Sequence, residues 1–175
     1  MRVREVAMDP LPVVRFVGPS GAGKTRLLEG LIPRLQAQGW RVGVVKHHHA
    51  GRLALDRPGS DSHRLTTAGA QAVVLSSPEQ LVLLTRPEAG DRLAEAVALL
   101  ANRVDLILVE GYRQASGPVV LVPGPAGDCP PFQGEVLAVY WPPARGAPRG
   151  LATGPWPRVA TPQDLVAVLR PWLAR

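Results

Sequence analysis

Gly18-Pro19-Ser20-Gly21-Ala22-Gly23-Lys24-Thr25 is the stretch that decides how this chain folds. Its first and sixth places are glycine and its last two are lysine and threonine, which is the full P-loop (Walker A) pattern. The flanks supply the context that the pattern requires. Val13 to Val17, behind Pro12, is a short apolar run that reads as a buried strand. Beyond the loop, Leu27, Leu28, Leu31, Ile32 and Leu35 recur at helical spacing in a helix expected over residues 26–38, and Gly39 stands where its C-cap belongs. The residue types follow from phosphate chemistry. Glycines let successive N–H groups turn inward, and the start of the helix adds its unpaired donors and positive dipole end. Lys24 is expected to reach the β- and γ-phosphates and the Thr25 hydroxyl to ligate Mg²⁺.

A P-loop also needs a carboxylate at the C-terminal end of a central strand, where ligands of open α/β sheets bind. Asp105-Leu-Ile-Leu-Val-Glu110-Gly111 offers a continuous apolar strand with an acid at each end. At about 3.3 Å per residue the two acids stand about 16 Å apart, so only one faces the metal. Glu110 is the expected one, with Gly111 letting the backbone approach the γ-phosphate.

The remaining chain alternates strand and helix patterns. Arg41 to Lys46 reads as a second strand, followed by a loop from His47 to Gly59. Ser60 is placed to cap a short helix through Ala68. Ala72 to Ser76 and Leu81 to Thr85 are strands around a Ser-Pro turn. Pro87 suits the first turn of a helix whose apolar face is Leu93, Val97 and Leu100. Val119 to Val122 and Val136 to Trp141 add strands within a Pro- and Gly-rich region, 111–157, that otherwise reads as long loops. Thr161 and Pro162 open a final helix bearing Leu165, Val166, Val168 and Leu169. The expected architecture is an α/β three-layer P-loop NTPase fold, a mostly parallel sheet flanked by helices, in one domain over 1–175.

Composition bounds the functions. The 175 residues suffice for one core, and no apolar run approaches the roughly 18–20 residues that span a bilayer. The first residues lack a signal-peptide apolar region, and the single cysteine, Cys129, fits a reducing compartment, so the cytoplasm is the expected location. The net charge of +6 is spread over scattered basic residues, which argues against nucleic acid as partner. Eighteen of the twenty basic residues are arginine, so the two lysines, Lys24 and Lys46, mark places where a compact ammonium is wanted.

Lys46 opens Lys46-His47-His48-His49 after the second strand, and Asp56 to Arg64 follows. A loop there can sense the γ-phosphate and Mg²⁺, with Lys46 and His47 contacting anions and Asp61 ligating or water-bridging the metal. Adjacent side chains on an extended segment point to opposite faces, so at most two of the histidines converge on one ion. A transition-metal site, anion contacts and a solvated loop all remain open for the run. Its internal position and shortness argue against an expression tag.

GPSGAGKT (18–25), VKHHHAG (45–51), DRPGSDSHRLTTAGA (56–70) and DLILVEGYR (105–113), in this order, resemble the MobB family of molybdopterin-guanine dinucleotide biosynthesis adaptor proteins. The resemblance runs from Val13 to about Arg113, with Met1 to Leu11 standing ahead of it as an N-terminal extension. It implies GTP and Mg²⁺ as ligands, weak GTP hydrolysis and frequent homodimerisation. It implies as partners the MobA-like guanylyltransferase that attaches GMP to the molybdenum cofactor, and the molybdopterin cofactor itself. No Asn-Lys-x-Asp element for reading guanine is present, so the base preference is implied by the resemblance alone, and Leu137-Ala-Val-Tyr-Trp-Pro stands where similar proteins carry a short polar or acidic residue. Two other readings share the P-loop: a small-molecule ATP-dependent kinase, with Arg145 or Arg149 on a lid, and a nickel-type metallochaperone GTPase using the histidine run.

Overall fold

The computed structural model describes residues 11–48, 57–85 and 92–173. They fall into two compact units, one within Met1–His47 and Leu93–Arg175 and the other within His48–Arg92. His49, Asp56, Pro87 and the extension before Leu11 lie outside the described residues.

The larger unit is built on six parallel strands, β1 (Val13–Val17), β2 (Val42–Lys46), β5 (Leu106–Glu110), β6 (Val119–Leu121), β7 (Val136–Tyr140) and β8 (Arg158–Val159), whose order across the sheet is β2-β5-β1-β6-β7-β8. The numbers β3 and β4 belong to a hairpin in the smaller unit. Apart from Arg15 in β1, the central strands are apolar along their buried lengths, with Leu106 to Val109 and Val119 to Leu121 fully buried, as sheets covered on both faces require. On one face α1 (Lys24–Gln36) and α4 (Pro162–Leu173) press Leu27, Leu31, Leu165 and Leu169 onto Phe16, Leu106, Leu108 and Val120. On the other, α3 (Arg92–Leu100) brings Leu93 to Val45, Ile107 and Val109, and Ala152 packs on Val17, Leu121 and Trp141.

The sheet thus has the three layers expected, and the differences from the sequence reading are local. The first helix runs over Lys24–Gln36 rather than 26–38: it begins inside the phosphate loop, and the turn through Gly39 closes it when Gly39 N–H and Trp40 N–H donate to Gln36 and Leu35 carbonyls. The second strand starts at Val42 because Arg41 is drawn to Asp105. The two-residue strand β8 was not foreseen; it carries too few residues for a periodic signal. Thr161 caps α4 as expected, its hydroxyl accepting from Asp164 N–H while the Asp164 carboxylate accepts from Thr161 N–H.

In the smaller unit, α2 (Asp61–Thr67) is capped by the Ser60 hydroxyl, which accepts from His63 N–H. The antiparallel hairpin of β3 (Ala72–Ser76) and β4 (Leu81–Thr85) turns through residues 77–80. It is apolar on both faces and yet Val74, Leu75, Leu81, Val82 and Leu83 remain 38–60% exposed. Among the described residues no helix is long and apolar enough to cross a membrane.

Candidate functional site

Parallel register brings the chemistry to one end of the sheet. β1 hands the chain to the loop at Gly18, and a side chain is excluded there, since a Cβ would come within 1.9 Å of the Val122 carbonyl oxygen beyond β6. The loop then folds over itself, Ala22 N–H donating to Pro19 O, and enters α1 through Gly23, which is left-handed at φ 89°. The Lys24 ammonium donates to the Gly18 and Pro19 carbonyls at 2.9 and 2.7 Å, so it spans the mouth of the loop. Burial lowers its pKa, and the Glu110 charge opposes that shift.

Thr25 and Glu110 meet. The Thr25 hydroxyl donates to Glu110 Oε2 at 2.8 Å, across 85 residues of sequence. Lys46, opposite Glu110 in the β2–β5 register, places its ammonium 3.6 Å from Glu110 Oε1 and 3.4 Å from Thr25 Oγ1. Glu110 is mostly buried, at 13% exposure, while Lys46 reaches in from solvent. The pair offers two hard oxygen donors around a point that already attracts a cation, the donor chemistry Mg²⁺ favours. Among the described residues no group of three or more His, Cys, Asp and Glu could hold a metal ion, so phosphate and water would supply the remaining ligands.

Asp105, the other acid of that strand, is at the far end. It takes a bidentate contact from Arg41, 2.6 Å at the closest, and the Arg41 side chain and backbone N–H hold its pKa down to about 2. Of the two acids of the strand, Glu110 is thus the one that stands beside Thr25.

Past Glu110 the backbone turns sharply through two left-handed residues, Gly111 at φ 102° and Tyr112 at φ 49°. A Cβ on Gly111 would come within 2.9 Å of the His47 Cβ, so glycine here makes room for His47. His47 N–H extends the β2–β5 ladder by donating to Glu110 O, and its ring lies 4.5 Å from that of Tyr112. Lys46, His47, Gly111 and the loop residues Gly18 to Thr25 are thus all in the larger unit around Glu110. Asp61 is described in the smaller one, exposed and 3.6 Å from Arg64.

Two arginines that sequence reasoning placed elsewhere or passed over take structural parts. Arg145, read as a lid residue, donates to the Ala22 carbonyl of the loop and to Pro123 O. Arg15, in the middle of β1, is buried and donates to the Tyr112, Gly117 and Gln133 carbonyls. A charged residue inside an apolar strand was the available signal. Cys129 is half-buried, with burial and the Asp128 charge pushing its thiol up to about 11.

The family model for MobB, molybdopterin guanine dinucleotide synthesis protein B, matches residues 13–138. The chain is similar to the molybdopterin-guanine dinucleotide biosynthesis adapter protein of Haemophilus influenzae, 39% identical over 117 residues, which are 65% of this chain and 64% of that one. To the protein of the same name from Escherichia coli it is 41% identical over 108 residues, 59% of this chain and 60% of that one. The match therefore spans less than two thirds of either relative. The crystal structure of Bacillus subtilis MobB has the same fold, with a TM-score of 0.69 at 24% identity over 92% of this chain and 96% of that one.

Proposed function

The chain belongs to the MobB family, and on that premise we propose that it is a GTP-binding adaptor assisting a MobA-like guanylyltransferase to attach GMP to the molybdenum cofactor. The observation that carries this reading is the convergence of Thr25, Glu110 and Lys46 beside the P-loop. The names of the two adapter relatives supply the pathway.

On this reading Gly18 to Thr25 cradle the phosphates, and Lys24 exchanges its two loop carbonyls for β- and γ-phosphate oxygens. Thr25 and Glu110 would hold Mg²⁺. Held there, the ion would supply charge neutralisation for the phosphates. Lys46 and His47 face the nucleotide, and the bend at Gly111 brings backbone N–H close to the γ-phosphate. Hydrolysis is slow on this reading, because Arg145, which reaches the loop, is spent on backbone carbonyls and is not offered to a transition state. We read the chain, 1–175, as a single nucleotide-binding domain working in the cytoplasm.

The exposed hairpin supports a homodimer. A two-stranded hairpin is marginal alone, and one apolar on both faces gains most when another copy covers it. Sedimentation should show a dimer that Leu83→Glu dissociates; a monomeric parent chain would contradict this part.

The test of the adaptor role is capture of the purified guanylyltransferase by the tagged chain with Mg²⁺-GTP, with EDTA, and with Lys24→Ala. Nucleotide-dependent capture lost in the variant is expected. Capture that ignores both nucleotide and Lys24, or no capture at all, would count against it.

A further inference from the structure

Arg145 sits 123 residues from the loop it touches. It is delivered by a stiff turn: Pro142 and Pro143 precede it, Arg145 N–H donates to Pro142 O, and Gly146 N–H donates to Pro143 O. Trp141, at the end of β7, is buried, donates its indole N–H to Gly146 O at 2.9 Å, and lies under the guanidinium with 5.5 Å from Cζ to the ring centroid. From this platform one guanidinium nitrogen reaches the Ala22 carbonyl at 2.5 Å and another reaches Pro123 O, just beyond β6. A single side chain thus ties together the segments that follow β1, β6 and β7, three neighbours in the sheet.

The Ala22 carbonyl is half of the Ala22–Gly23 peptide. Peptide planarity fixes the Gly23 N–H antiparallel to that carbonyl. Holding the oxygen outward on a cation therefore aims the N–H the other way, toward the concavity where a P-loop takes phosphate, and polarises it. Gly23 is left-handed and carries no side chain; the flanking peptides are held by Ala22 N–H on Pro19 O and Leu27 N–H on Gly23 O, and Arg145 holds the carbonyl of the one between them. Lysine would not serve equally: the two carbonyls and the Trp141 face fit a planar fork of donors.

We infer that Arg145 is a positioning residue for phosphate binding, which orients the Gly23 N–H through the Ala22 carbonyl without touching the ligand. The inference rests on the P-loop binding a triphosphate. It differs from a contact to base or ribose in acting equally on every ligand that uses the cradle.

Binding of Mg²⁺-GTP and of Mg²⁺ with inorganic tripolyphosphate is measured by calorimetry on the full chain, Arg145→Ala, Arg145→Gln and Arg145→Lys, well below each protein's melting temperature. Loss of one charge-assisted contact to the cradle should weaken both ligands by the same factor, about tenfold. Lysine should not restore binding, whereas free guanidinium ion at low concentration should partly rescue Arg145→Ala. A weakened GTP affinity with unchanged tripolyphosphate affinity would overturn the inference by moving Arg145 to the nucleoside. Unchanged affinities for both, or full rescue by lysine, would also overturn it. If the parent chain binds neither ligand, the cradle reading fails first and takes the inference with it.

Discussion

Replacing Arg15 with methionine removes a guanidinium that is 1% exposed and serves three carbonyls: Tyr112 at 3.0 Å, Gly117 at 2.8 Å and Gln133 at 2.6 Å. These carbonyls lie in the loops that follow Glu110 and precede β7, so one side chain fastens two irregular segments to the central strand. Each carbonyl left unpaired in the interior costs about 1–3 kcal/mol. Two effects offset part of that: the charge no longer has to be buried, and the methionine stem fills the apolar space of the arginine stem. Burial already pulls the Arg15 pKa down, which is the same penalty seen from the other side. The net loss should be about 3–5 kcal/mol, a large part of the 5–15 kcal/mol that holds a typical domain together. Urea unfolding at fixed protein concentration, followed by far-ultraviolet circular dichroism, reads this as a lowered midpoint with little change in slope. A loss below about 1 kcal/mol would refute the idea that Arg15 staples these loops.

Glu110→Gln keeps a partner for the Thr25 hydroxyl but removes the charge, and should weaken the Mg²⁺ dependence of nucleotide binding by about tenfold or more. An unchanged Mg²⁺ titration would shift the metal role toward Asp61. Asp105, held at about 2 against an ordinary 3.8, contributes stability that is fully present above about pH 4 and lost as the pH falls toward 2. Thermal melts should therefore show Asp105→Asn less stable than the parent at neutral pH, with the gap closing between about pH 4 and pH 2; a constant gap would contradict the pairing with Arg41.

The glycine-rich loop and the acid that meets it were legible in position because each is a local pattern with a physical requirement: glycines between strand and helix, and an acid closing an apolar run. The same held for the Ser60 cap, the β3–β4 hairpin and the Thr161 start of α4, where neighbours in sequence make the decisive bonds. Arg15 and Arg145 were not legible in their actual parts. Their partners are backbone carbonyls 22 to 123 residues away, and a carbonyl leaves no mark in a sequence. Gly111 illustrates a partial reading. A backbone requirement was foreseen, but the contact that demands glycine is the His47 side chain, visible only once β2 and β5 are aligned. The histidine run resolved in part for the same reason: His47 goes to the Tyr112 ring, while His49 lies outside the described residues.

The central claim is that the Gly18–Thr25 loop, with Glu110 behind it, is a Mg²⁺-GTP site. Calorimetric titration of the purified chain with GTP and with ATP, each with and without Mg²⁺, tests it most directly. The account predicts that GTP binds more tightly than ATP, that Mg²⁺ strengthens the binding, and that Lys24→Ala abolishes it while leaving the melting temperature unchanged. Equal or tighter binding of ATP would contradict the adaptor reading in favour of a kinase, and binding that survives Lys24→Ala would contradict the cradle itself.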